Sequence, residues 1–282
     1  MYTLIIENEK HEQLELTNNE NYDVISIDGL NPPAALINMI EIAGVDGAHF
    51  NSSRINTRNI VIMINIKAPV ERNRIALYAY FKAKRYVKVI YRNESRDVYA
   101  EGYVETFEND LFTMLQQPQI SIICPNPFWL SSQDTSVEFS STQALFEFPM
   151  DNPVGGLEFS SIDRLTTTLI NAGEVATGGI IRLRATSDGV QSPTFYNRTT
   201  GAYFGLSTSL QEGDEIVINT LTGEKSVKRI RSGTETNLLS LRTSGSSWIV
   251  FEPGENEISY SATHGQAYLK VSVELTQKFE GV

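Results

Sequence analysis

The chain has 282 residues, enough for two domains that each bury a core. With 41% hydrophobic and 20% charged residues, its composition is that of a folded protein and excludes a disordered one. A net charge of -11, from 34 acidic and 23 basic residues, argues against nucleic-acid binding by clustered Lys and Arg. It suits a surface past which DNA slides without sticking, but the plainer reading is a protein kept soluble by like charge.

Residues 2–7 read as a strand. No basic region precedes them and Glu7 interrupts the apolar run, so no secretory leader is expected. No apolar stretch has bilayer-spanning length, so membrane insertion is not expected either. Residues 24–30 form a second strand, and Gly44-Val45-Asp46-Gly47 marks a turn. The polar run from Asn51 to Arg58 extends that loop or forms a hairpin arm. Residues 59–67 are apolar on both faces, which predicts a strand covered on both sides or by another chain.

The spacing then predicts a helix over 69–84. Pro69 suits its first turn, Glu71 its start, and Lys82, Lys84 and Arg85 its end. Ile75, Leu77, Tyr78 and Phe81 make its apolar stripe. Strands at 86–91 and 97–107 follow, joined as a hairpin by residues 92–96. In the second, Val98, Ala100, Gly102 and Val104 alternate with Tyr99, Glu101, Tyr103 and Glu105. Residues 119–124 form a strand ending at Cys124-Pro125-Asn126-Pro127-Phe128-Trp129. The single cysteine excludes an intrachain disulfide, reads as a buried thiol and fits a reducing cytosol. Trp129 is expected to plug a domain junction.

Two prolines and the polar run 131–136 place a domain break near residue 132, giving domains 1–132 and 133–282. The second half reads as almost all strand: 136–140, 145–149, 157–161, 166–171, 180–185, 192–197, 203–206, 214–219, 226–229, 247–251, 257–261 and 267–275. In the last of these, Leu269, Val271, Val273 and Leu275 are expected inward. Many short strands with regular turn signals predict a β-sandwich or jelly roll.

No active site is legible. His11, His49 and His264 are isolated, and one cysteine cannot build a thiolate site. There is no phosphate-binding glycine loop, dinucleotide fingerprint or nucleophile elbow. Carboxylate neighbours such as Glu105, Glu108 and Asp110, or Asp214 with Glu215, arise by chance among 34 acidic residues. No catalytic, metal or cofactor residue is therefore assigned, and no enzymatic activity is expected.

Several segments together resemble the distal tail proteins of siphophages that infect Gram-positive bacteria. They are Gly44-Val45-Asp46-Gly47-Ala48-His49-Phe50, Arg58-Asn59-Ile60-Val61-Ile62, Arg96-Asp97-Val98-Tyr99-Ala100 and Cys124-Pro125-Asn126-Pro127-Phe128-Trp129. In the second half they are Asn171-Ala172-Gly173, the run from Gly213 to Thr220, Trp248, Pro253-Gly254-Glu255-Asn256 and Phe279-Glu280-Gly281-Val282. The resemblance spans nearly the whole chain. It implies a mainly β protein: an N-terminal β-sandwich or barrel-like domain with one helix, then a galectin-like β-sandwich. It further implies a ring, usually of six subunits, at the end of the tail tube. The partners would be the tail tube protein, a tail-tip protein and a receptor-binding protein, with DNA passing through the ring. The location would be the virion tail tip, after synthesis in the bacterial host cytoplasm; an active phage and a prophage both fit.

Within that reading, the apolar strand and the polar arm supply the candidate subunit contacts: Arg54, Arg58, Ile60, Ile62 and Ile64. The alternative is a carbohydrate-binding module in the second domain, with Trp248, Tyr196 and Tyr203 stacking on a sugar. The chain departs from galectins there: Asn197-Arg198 lacks a His-x-Asn setting, and Trp248 lacks the following Gly and Glu.

Overall fold

From Val98 to Val104 every second side chain is small or apolar, and this period of two fixes one strand face against a core. The computed structural model describes residues 2–140, 143–144, 160–161 and 166–282. They divide into two units: Met1–Gln133 with Lys278–Val282, and Asp134–Gln277.

The first unit runs β1 (Thr3–Asn8), β2 (Gln13–Glu15), β3 (Tyr22–Asp28), β4 (Ala35–Glu41), β5 (Ala48–Ile55), β6 (Arg58–Ile66), α1 (Val70–Leu77), β7 (Tyr86–Arg92), β8 (Asp97–Glu108), β9 (Gln119–Cys124) and β10 (Trp129–Ser131). Its main sheet is antiparallel in the order β2-β1-β7-β8-β9-β6-β3, with β10 also paired to β8. Leu4 of β1 and Tyr22 of β3 lie towards opposite ends of that order yet share one core, so the sheet curls around its apolar contents. Each fully buried Leu, Ile or Val there contributes about 1.5–3 kcal/mol.

Two expectations for this unit are corrected. The helix spans only Val70–Leu77, not 69–84. Beyond Leu77 the chain winds through i to i+3 bonds, Tyr78 N–H to Ile75 O and Tyr80 N–H to Leu77 O. Those turns drop Phe81 into the core but leave Ile75 59% exposed, so the supposed stripe is split. The helix is held instead by buried Asn73, whose amide donates to Lys67 O and Asn21 Oδ1 and whose carbonyl accepts from Tyr22 Oη. Strand β6 was expected to be covered on both sides or by another chain; within the first unit one face is fully buried at Ile60, Ile62 and Ile64, while Val61 and Met63 on the other are half-buried.

The second unit runs β11 (Thr135–Ser140), β12 (Gln143–Ala144), β13 (Ser160–Ser161), β14 (Thr166–Asn171), β15 (Ile180–Ala185), β16 (Val190–Gln191), β17 (Thr194–Asn197), β18 (Ala202–Gly205), β19 (Ser209–Leu210), β20 (Glu215–Asn219), β21 (Ser226–Arg231), β22 (Thr234–Asn237), β23 (Gly254–Ser261) and β24 (Leu269–Leu275). A six-stranded sheet, β11-β24-β15-β20-β21-β22, faces a four-stranded one, β14-β23-β17-β18. Side chains of both, among them Ile181, Ile216, Val271, Phe195, Phe204 and Ile258, form one core, which makes a β-sandwich. The inward alternation of Leu269, Val271, Val273 and Leu275 is as expected: all four are buried. The strand expected at 145–149 and most of that at 157–161 lie outside the described residues.

The strand expected at 247–251 is absent as a ladder. Ile249 and Phe251 are buried, but the backbone bonds are scattered: Phe251 makes an isolated bridge to Thr177, Ser247 N–H donates to Tyr203 O, and the side-chain amides of Asn197 and Asn171 donate to Val250 O and Phe251 O. The second domain was also expected to run to residue 282. Instead β25 (Lys278–Phe279) pairs with β10 of the first unit, Trp129 opposite Phe279 and Leu130 opposite Lys278. The second unit is thus inserted between two paired strands of the first. The last residues leave it because Phe279 has a place beneath Arg96, whose guanidinium lies 4.3 Å from the ring centroid.

Candidate assembly surface

Two segments of the first unit hold large apolar side chains in water. One is the hairpin β4–β5, paired from Ala35 opposite Ile55 to Glu41 opposite Ala48, with a bulge between Asn38 and Met39. Its tip turns at Gly44 and Gly47, both at positive φ (85° and 89°), a conformation that side chains with a Cβ resist. Ile37, Met39, Ile40 and Phe50 are 51–67% exposed. A lone two-stranded ribbon is marginal in water, and among the described residues no third strand pairs with this one.

The other segment joins β8 to β9. Asp110 Oδ1 accepts from Phe112 N–H, the Thr113 hydroxyl bonds the carbonyls of Asp110 and Leu115, and Asn109 Nδ2 donates to Gln116 Oε1. The polar residues thus build the turn and aim the apolar ones outward. Phe112 is 98% exposed and Met114 101%, the exposure of an unfolded chain. Clusters of this kind mark contact surfaces.

The contact residues expected from sequence fall differently. Arg54 is exposed on β5, opposite Leu36, and belongs to the hairpin. Ile60, Ile62 and Ile64 are fully buried and cannot touch another chain, because the alternation of β6 turns them into the core. Arg58 is 3% exposed and is no contact residue either. Its guanidinium donates to Pro127 O (2.6 Å), Asn31 O (2.9 Å), Glu280 O (2.5 Å) and Gly29 O, and lies 5.4 Å from the Trp129 ring centroid. Trp129 is fully buried in the first unit's core. Cys124 is also buried there, and burial pushes its thiol up to about 11 against the opposing pull of Arg58.

The three sugar-contact candidates do not form one platform. Tyr196 and Tyr203 are cross-strand partners with ring centroids 6.1 Å apart, facing away from the core on β17 and β18. Trp248 rests on Phe204, whose side chain points inward, and Lys225 Nζ lies 5.6 Å from its ring centroid. The carboxylate neighbours also separate. Asp214 is buried and gripped by Arg231 at 2.7 and 2.5 Å, while Glu215 points to the opposite face of the strand. Glu105 accepts from Ser121 Oγ at 2.8 Å.

Sequence reasoning missed β4 and the exposed connection. The signal was present: apolar runs at Leu36-Ile37-Asn38-Met39-Ile40 and Leu111-Phe112-Thr113-Met114-Leu115, the second between strands where polar residues are the norm. Neither run has a period that tells a contact from a core.

The family comparisons match each unit separately. Residues 9–124 match the model described as phage tail protein RIFT-related domain, and residues 172–279 match the siphovirus-type tail component, C-terminal domain. The chain belongs to the siphophage distal tail protein family. As a distal tail protein it is a structural component of the phage tail or baseplate. Solved structures agree in fold. The SPP1 Dit protein, described as a paradigm of the hub adsorption apparatus in Gram-positive infecting phages, aligns over 99% of both chains with TM-score 0.69 and 13% identity. A chain of the phage P2 baseplate in its activated conformation aligns over 100% of both, with TM-score 0.57 and 12% identity for the calcium form. The strontium form gives TM-score 0.55 and 12% identity. Comparison with curated proteins found no match.

Proposed function

We propose that this distal tail protein forms a six-membered ring at the end of the tail tube, joining the tube to the tip and receptor-binding apparatus and letting DNA pass. The observation that carries the reading is the apolar hairpin β4–β5, which its own unit leaves uncovered. A heterologous contact, in which the hairpin of one copy lies on a different patch of the next, repeats around an axis and closes as a ring. The exposed Phe112 and Met114 fit a second contact, to a neighbouring ring or to the tip protein below. The net charge of -11 suits a channel that DNA crosses without binding.

The test is native mass spectrometry and negative-stain microscopy of the full chain, alone and co-expressed with a tail tube protein. Six-fold rings are the expected result. The double substitution Ile37→Asp with Phe50→Asp removes them and leaves both units folded, since neither side chain is in a core. A monomer under every condition, tube protein included, rules the ring out.

A further inference from the structure

All of β4 and all of β5 except Ile55 are exposed, so the direction of the hairpin is set where it joins the sheet. One leg is the stretch from Gly29 to Ala34, between β3 and β4. The other is Asn56 and Thr57, which lead into Arg58 at the head of β6. Pro32 and Pro33 stiffen the first leg and remove two of its donors, so carbonyls are what hold it. Arg58 donates to two of them, Gly29 O and Asn31 O. The N–H of Val282 donates to the one between, Leu30 O, at 3.2 Å. The same guanidinium takes Glu280 O. Gly281 lies so close that a Cβ on it would stand 2.9 Å from Pro32 Cδ and 3.2 Å from Pro32 N. Both legs and the returning tail thus meet at one side chain.

We propose that Arg58 and residues 280–282 form a clasp that aims the hairpin, and that ring closure depends on it. The second part rests on the ring proposed above. Identical heterologous contacts close as a ring only at the right rotation between neighbours. The seven residues of β4, at about 3.3 Å each, make an arm of about 23 Å. A tilt of about 15° at its base carries the tip about 6 Å, beyond the reach of an apolar contact. Residues 280–282 follow the second unit in the chain, so the hairpin is aimed only once the second unit has been synthesised. Arg58 and the tail are positioning elements: they touch no partner and act through the hairpin.

The test is a distance measured by pulsed electron resonance in the full chain, between spin labels on Val45→Cys at the hairpin tip and Ser95→Cys in the β7–β8 turn. Both positions are exposed and Cys124 is buried, so only the introduced cysteines take label. The Ile37→Asp, Phe50→Asp background keeps the chain monomeric and the distance internal. One narrow distance is expected. Deleting residues 281–282, which spares β25 and the Glu280 carbonyl, should broaden it by about 6 Å or more. Gly281→Val, which pushes on Pro32, should displace its centre. Leu16→Ala opens the same core without touching the clasp, so it should lower the melting midpoint and leave the distance unchanged. Trp129 fluorescence shows whether each variant is folded, and if the deletion unfolds the first unit, Gly281→Val decides. In the chain without labels or Asp substitutions, both tail variants should lose the six-membered ring. The clasp is overturned if neither tail variant alters the distance, if Leu16→Ala broadens it equally, or if the distance changes while rings form at the original yield. A chain that forms no ring under any condition sinks the ring, and the distance alone then decides the clasp.

Discussion

Replacing Arg58 with methionine keeps much of the side chain's bulk and removes its five donors. In the folded first unit those donors meet four backbone carbonyls from three stretches of chain: Gly29 and Asn31 after β3, Pro127 before β10, and Glu280 in the returning tail. A hydrogen bond to a charged group contributes about 1.5–3 kcal/mol, and a buried acceptor left bare costs about 1–3. Two effects reduce the sum: methionine has no charge to desolvate, and water reaches carbonyls near the exposed Asn31. The net loss is about 4 kcal/mol, which in a unit of about 140 residues lowers the melting midpoint by about 10–15 °C.

The assay is thermal unfolding followed by tryptophan fluorescence in a Trp248→Phe background. Trp129 is then the sole tryptophan and sits in the first unit's core, against Arg58. A second-unit transition followed by calorimetry should stay in place. Deleting residues 278–282 should reproduce most of the shift, because it removes the Glu280 acceptor and β25 together. A fall in midpoint of under about 3 °C for Arg58→Met refutes the account of Arg58 as the tie between the tail and the sheet.

Three further outcomes follow from the geometry. Asp214 is held below the ordinary carboxylate range, chiefly by the Arg231 hydrogen bonds. Its contribution is therefore whole above the ordinary value of 3.8 and drains away as pH falls through the lower folded value. Asp214→Asn should cost the second unit about 2 kcal/mol at neutral pH and flatten its acid-melting curve, as read by urea titration from pH 7 to 2. Cys124 should resist a thiol reagent at pH 8 in the native protein and react once the chain is unfolded, since burial pushes its thiol up to about 11. Gly29 has φ +86°, and a Cβ there would collide with the Asn59 carbonyl, so Gly29→Ala should destabilise the first unit by about 2–4 kcal/mol in urea unfolding.

Local pattern made much of this architecture legible. The alternation in β8 and β24 named the buried face, because in a strand the facing of a side chain depends only on its place in a period of two. The helix was legible as a helix but not in length: helical spacing continues to Phe81, and only the backbone turns after Leu77 show where it stops. Residues 247–251 have strand composition, yet their partners are scattered through the chain: Ser247 bonds Tyr203, Phe251 bridges Thr177, and the side-chain amides of Asn171 and Asn197 hold the last carbonyls. Four of the five expected contact residues, Arg58, Ile60, Ile62 and Ile64, are buried for a similar reason. The apolar Ile60, Ile62 and Ile64 and the apolar Ile37, Met39 and Ile40 look alike in sequence, but the first set has a sheet beneath it and the second has none.

By itself, then, the sequence determined the β-rich class, the run of strands in each half and the family, since these rest on residue type, short-range period and motif order. Only the tertiary structure decided that Arg58 is a buried tie, that the last five residues close the first unit, and which apolar residues remain for a partner. Those outcomes depend on what segments distant in the chain place beside each residue, and burial is a property of that neighbourhood rather than of the residue.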